Sequence, residues 1–201
     1  FVGSRGLGDV YKRQVYNNVM IISFSGAQST GKTTLLNHCC TQSRFRKYHC
    51  VHEVTRKVKR EQRVEINTRG DDVTQLFIMN EHLHNHMLKG DALLDRCVLD
   101  GMVYTKYLHE QGSVSDWVLK YTHNMYKMLV PKLDVIFYTS PVDVKLEDDG
   151  ERSADVEFRD RIVELFDMYR SDSAVRSRLH VLTGDVQTRY KQIISVLDEL
   201  I

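Results

Sequence analysis

The chain has 201 residues, 28 Lys and Arg against 27 Asp and Glu, a formal charge of +1, and 42% hydrophobic residues. That length suits one domain with a proper core rather than two large ones, and the balanced charge gives no reason to expect a nucleic-acid or membrane partner. No apolar stretch reaches membrane-spanning length and no secretory signal is visible, so Cys39, Cys40, Cys50 and Cys97 read as reduced, mostly buried thiols of a cytoplasmic protein, without a disulfide framework.

Residues 4–14, Ser-Arg-Gly-Leu-Gly-Asp-Val-Tyr-Lys-Arg-Gln, resemble a translated sequencing-library adapter. A transposase mosaic end read in frame encodes Asp9 to Gln14. Segments of that kind are set aside in reading a fold. Residues 1–19 are therefore taken as non-native or upstream sequence, Met20 as the native start, and 20–201 as the domain. Such a scar implies assembled environmental DNA, from an uncultured organism or a phage.

Met20–Ser25 is an apolar run of strand length, and Thr34 onward has helical spacing with Leu35, Leu36, Cys39 and Cys40 on one face. Between them Gly26-Ala27-Gln28-Ser29-Thr30-Gly31-Lys32-Thr33 fits G-x-x-x-x-G-K-[ST]. A strand, a glycine-bracketed turn and a helix N-terminus aim backbone N–H groups at one point, where polyphosphate can sit. The expected nucleotide contacts run from Gly26 through Thr34. Lys32 would reach the β- and γ-phosphates of ATP, and the Thr33 hydroxyl would ligate Mg²⁺.

The second run, Tyr48–His52, ends in Glu53, with Arg56 one helical turn on. Glu53 would orient or deprotonate a substrate hydroxyl, or bind a base or ribose. Arg56 would hold a substrate phosphate or pair with Glu53; the plain alternative is a solvated pair worth little. Val73, Leu76, Phe77, Asn80, Leu83, Met87 and their neighbours then keep helical spacing.

The third run, Ala92–Asp95, is an apolar strand closed by an acid, the Walker-B pattern, so Asp95 would hold the Mg²⁺ shell or act as general base. Arg96 could bind donor or acceptor phosphate. Asp100 and Tyr104, one turn apart, could face the acceptor, with a helix N-cap as the plain reading of Asp100. A helix carrying Trp117, Val118, Tyr121, Met125, Met128 and Leu129 precedes the fourth run, Val135–Thr139.

Residues 145–153, Lys-Leu-Glu-Asp-Asp-Gly-Glu-Arg-Ser, feed a helix bearing Arg159 and Arg161, with Phe158, Ile162, Leu165 and Phe166 on its buried side. A charged, glycine-hinged loop before an arginine-bearing helix suits a closing lid over about 143–170. Arg152 is the first choice for a phosphate-facing guanidinium and Arg159 the second. After the fifth run, Leu179–Thr183, the turn at Gly184 could lie against adenine, and Tyr190, Ile193, Ile194, Leu197 and Ile201 mark the last helix. Strand–helix alternation implies a five-stranded parallel sheet with helices on both faces, a three-layer α/β P-loop NTPase fold, with ligands beyond the carboxyl ends of the strands.

The ordered set of P-loop, Glu53, Asp95-Arg96-Cys97, Asp149-Gly150-x-Arg152-Ser153 and Gly184 resembles the P-loop nucleoside and nucleotide kinases, such as thymidylate and deoxynucleoside kinases. Cys97 stands where that group has Ser or Tyr. Closer still is the resemblance to the NadR-type AAA/P-loop domain, the group holding ribosylnicotinamide kinase. The stretches 54–60 and 100–104 look like phage members. The resemblance implies transfer of the ATP γ-phosphoryl to a nucleoside, nucleotide or ribosylnicotinamide-type acceptor, with ATP and Mg²⁺ as cofactors. The alternative is an AAA-like ATPase or nucleotide switch acting on a protein partner. That reading would want a glutamate beside Asp95, where this chain has Arg96.

Overall fold

The computed structural model describes residues 19–141 and 156–200. In chain order the strands and α-helices are β1 (Ile21–Ser25), α1 (Lys32–Cys40), β2 (His49–Val51), α2 (Val54–Gln62), α3 (Asp72–His86), β3 (Ala92–Asp95), α4 (Val98–Glu110), α5 (Asp116–Leu129), β4 (Val135–Thr139), α6 (Val156–Arg170), α7 (Ser173–Arg176), β5 (Leu179–Leu182) and α8 (Val186–Leu200). The segment 1–18 and residues 142–155, which hold Arg152 and the loop expected to form the lid, lie outside the described residues.

The five strands form one parallel sheet in the order β2-β3-β1-β4-β5. β1 is central and buried at every residue, as a strand covered on both faces must be. Two carboxylates hold its start. Asp91 accepts the Met20 N–H and Asp134 the Ile21 N–H, each at 2.8 Å. Alternation along β1 splits the core in two. Ile21 faces a cluster with Leu94, Val103, Tyr126, Ile162 and Phe166, under α4, α5 and α6. Ile22 and Phe24 face Leu35, Leu36, Phe137, Ile193 and Leu197, under α1 and α8. The expected three-layer architecture is therefore the observed one. Among the described residues no helix is long and apolar enough to cross a membrane.

The helix expected from spacing is present as α3, and its most buried face is largely polar. Val73 and Met87 are exposed, while Gln75, Ile78, Met79, His82, Asn85 and His86 are buried. Helical spacing was right, but the face turned inward is largely polar because it borders a pocket. One sequence expectation is corrected, since the cysteines are not all reduced: Cys40, at the end of α1, is disulfide-bonded to Cys50 of β2, with Cα atoms 6.4 Å apart. Ten residues of sequence separation conceal that the turn after α1 brings β2 back alongside it. Cys39 and Cys97 are buried free thiols, each pushed up to about 12 by burial.

Candidate functional site

The Gly26–Thr33 loop joins the carboxyl end of β1 to α1. At Gly26, with φ +142°, a side chain would strike the Thr139 carbonyl and hydroxyl at 2.9 Å, so only glycine fits there. Lys32 is buried and folds its ammonium back onto the loop, donating to the Gly26 carbonyl at 2.9 Å, to the Ala27 carbonyl, and to the Thr30 hydroxyl at 3.3 Å. Burial, with the Arg96 charge adding to it, lowers its pKa to about 7. Thr34, by contrast, points to solvent from the outer side of α1.

Beside the loop, the Thr33 hydroxyl donates to Asp95 Oδ2 at 2.5 Å. Asp95 Oδ1 is buried without a hydrogen-bond partner, and burial, reinforced by Glu53, raises this carboxyl's pKa. A hydroxyl and a carboxylate with one spare buried oxygen fit a hard cation that takes its remaining ligands from phosphate and water.

The next residue turns the chain sharply. Arg96 has φ +78°, an unfavourable conformation for a non-glycine residue. Its side chain is correspondingly well anchored. Nε donates to Glu53 Oε1 at 3.0 Å and Nη1 to Asp100 Oδ1 at 3.4 Å, with the guanidinium 5.2 Å from the Tyr104 ring centre. Glu53 also accepts from Arg56 Nε at 3.2 Å. Asp100 is not the N-cap of α4; that position is Cys97, and Asp100 reaches back to its N–H at 3.1 Å and to the Gly26 N–H at 3.3 Å. The Tyr104 hydroxyl donates to Gln28 Oε1 at 3.4 Å. Glu53, Arg96, Asp100, Tyr104, Gln28 and Gly26 thus form one connected polar network between β2, α4 and the loop.

Two openings flank this network. Thr33 and Glu53 share a groove with His52, Arg56, Arg60 and Asn85. Arg96, Asp100 and Tyr104 line a narrower pocket with Thr55, Gln75 and His82. Between them the expected Lys32, Thr33, Glu53, Arg56, Asp95, Arg96, Asp100 and Tyr104 come to one region. Gly184 starts the turn into α8 with φ +86°, and Arg159 donates to the Pro141 carbonyl at 3.0 Å. Arg161 faces outward to Glu110 and Glu164.

The sequence reading missed Arg189. It is buried, and donates to the Thr30 carbonyl at 2.6 Å and to the Ser140 carbonyl at 3.2 Å. The signal was present: Arg189, Ile193 and Leu197 fall four residues apart on one buried stripe, and a charge on such a stripe needs a partner. Gln75 and His82 were missed because hydrophobic spacing gives no reason to single out polar residues within a helix.

The AAA domain family matches residues 21–189. The chain belongs to that family. Among solved structures this AAA domain is similar to a NadR protein in complex with NR, at 16% identity and a TM-score of 0.68, covering 90% of this chain and 51% of the other. It is similar to the deoxyadenosine kinase from M. mycoides with products dCMP and dCDP, at 15% identity and a TM-score of 0.70, covering 90% and 100%. Thymidylate kinase from Candida albicans matches at 14% identity and a TM-score of 0.59, covering 90% and 92%. These likenesses are of fold. The AAA domain spans about half the length of the NadR chain, and no curated protein matches it by sequence.

Proposed function

We propose that this AAA domain is an ATP-dependent phosphotransferase, moving the γ-phosphoryl to a hydroxyl of a small nucleoside, nucleotide or ribosylnicotinamide-type acceptor. The observation that carries this reading is the single groove shared by Thr33 of the P-loop and the Glu53 carboxylate. An acceptor hydroxyl beside Glu53 would lie next to the nucleotide's terminal phosphate. Glu53 would orient or deprotonate that hydroxyl, with Arg96 and Arg56 holding the carboxylate in place.

Lys32 would exchange the loop carbonyls for phosphate oxygens. Thr33 and Asp95 would hold Mg²⁺, whose contribution is to offset charge on the β- and γ-phosphates. Arg159, and Arg152 in the segment outside the described residues, are the proposed lid arginines. The position beside Asp95 that a hydrolytic ATPase would fill with a carboxylate holds Arg96, engaged by two acids.

The test is ATP consumption against a panel of nucleosides, nucleoside monophosphates and ribosylnicotinamide, with Glu53→Gln and Asp95→Asn in parallel. Asp95→Asn should depress turnover with every acceptor, and Glu53→Gln should lower acceptor-dependent turnover by roughly two to four orders of magnitude while sparing slow acceptor-free hydrolysis. No stimulation by any acceptor, or equal loss of acceptor-free hydrolysis in both variants, would refute the two-site reading.

A further inference from the structure

Arg189 approaches the P-loop from behind. It belongs to α8, which packs with α1 against one face of the sheet, and its side chain is buried against the loop. One Nη donates to the Thr30 carbonyl and the other to the Ser140 carbonyl, so a single side chain bridges the loop to the end of β4. The loop is tied to β4 a second time through the 2.7 Å contact between the Thr30 and Thr139 hydroxyls.

The Thr30 carbonyl belongs to the same planar unit as the Gly31 N–H. In a trans peptide those two groups point in opposite directions, and the structure has no cis peptide among its described residues. A guanidinium that holds the carbonyl on the outer side therefore holds the Gly31 N–H toward the inner side, the concavity where backbone donors cradle phosphate. A charged donor keeps that orientation before any ligand arrives, and orientation set in advance is what makes such a donor effective.

From this geometry we infer that Arg189 is a positioning residue for the P-loop: through the Thr30 carbonyl it presents the Gly31 N–H to the β-phosphate of a bound nucleotide. The inference rests on the P-loop nucleotide reading above, and its ligand chemistry is narrower, since it requires a β-phosphate and is indifferent to the acceptor.

Calorimetric titration of ADP and of AMP into the wild-type chain, Lys32→Ala, Arg189→Met and Arg189→Lys separates the two ideas. ADP binding that is absent in the wild type, or as tight in Lys32→Ala as in the wild type, removes the nucleotide reading itself. With that reading intact, Arg189→Met should weaken ADP binding roughly ten- to a hundredfold, the range of a charged hydrogen bond, and leave the weaker AMP binding unchanged. Arg189→Lys, which keeps one donor for Thr30, should fall between Arg189→Met and the wild type; it carries the comparison alone if Arg189→Met does not fold. Wild-type ADP affinity in the folded variant, or equal losses for ADP and AMP, would overturn the inference, the second outcome meaning only a loosened loop.

Discussion

Lys32 is the buried cation of the site that would meet the phosphates directly. Packed against two loop carbonyls and the Thr30 hydroxyl, its amine has its pKa lowered from 10.5 to about 7, with burial as the main cause. Phosphate oxygens would restore the charged form, so nucleotide binding at pH 8 should take up roughly one proton. Calorimetry of ADP binding in buffers of different ionisation enthalpy reads that number directly. Lys32→Met should bring it to zero; a wild-type value near zero would mean that the amine is already charged before binding. The same depression has a sign for stability. The unfolded chain holds the proton up to about pH 10.5, so burial of this lysine disfavours the fold most below pH 7 and progressively less as the pH rises toward 10.5.

At the scale of the element, α3 is instructive because its polar face is its inner one. His86 shows how such a face is tolerated. Its Nδ1 is 2.7 Å from the His82 carbonyl, and its Nε2 accepts the Val98 N–H at 3.5 Å, at the start of α4. This pattern assigns the proton to Nδ1 and leaves a neutral ring. Burial, with Lys132 adding to it, lowers the pKa to about 4 against the opposing bond to His82. Between about pH 4 and 6.5 the unfolded chain therefore binds a proton that the folded one refuses, and stability falls as the solution is acidified through that window. Denaturant melts at half-unit steps should show the slope, and His86→Gln should flatten it by about 1.4 kcal/mol per pH unit. An unchanged slope would mean that His86 is not the group responsible.

The polar face also explains what the sequence could not disclose about this site. Glu53 and Asp95 were readable because each closes an apolar run, where parallel strands deliver ligand-facing residues. Lys32 and Thr33 were readable from spacing alone. Gln75 and His82 carry no such mark: hydrophobic periodicity assigns faces by apolar content, and it fails where the inward face borders a pocket. Arg189 did interrupt an apolar stripe, and that interruption is a usable sign.

For the whole molecule, the alternation of runs and helices sufficed for the sheet and its layers: the three inner strands are buried at every residue between two helical layers, and the edge strands β2 and β5 are only partly covered. Every one of the five strands starts and ends within one residue of its expected run. The Cys40–Cys50 link was beyond reach, because it depends on how the turn after α1 folds back. Closing so short a loop should stabilise the oxidised protein by about 2–3 kcal/mol. Cys50→Ser should show that loss in thermal melts without reductant and none with it. Matching melts under both conditions would mean that the two sulfurs are not bonded in solution.

The central position of β1 gives the molecule a bilateral plan. Apart from Thr33 of the loop itself, the residues that line the Glu53 groove and the Tyr104 pocket come from 50–108, one uninterrupted stretch of chain. Everything on the other side that steadies the loop from behind comes from 139–189. A lineage can therefore rewrite the first stretch to suit a new acceptor, by substitution or by recombination at two points, without disturbing the second. Variation among related chains should then be lopsided, with drift concentrated before α5 and restraint after it, and the loop at the seam answering to both.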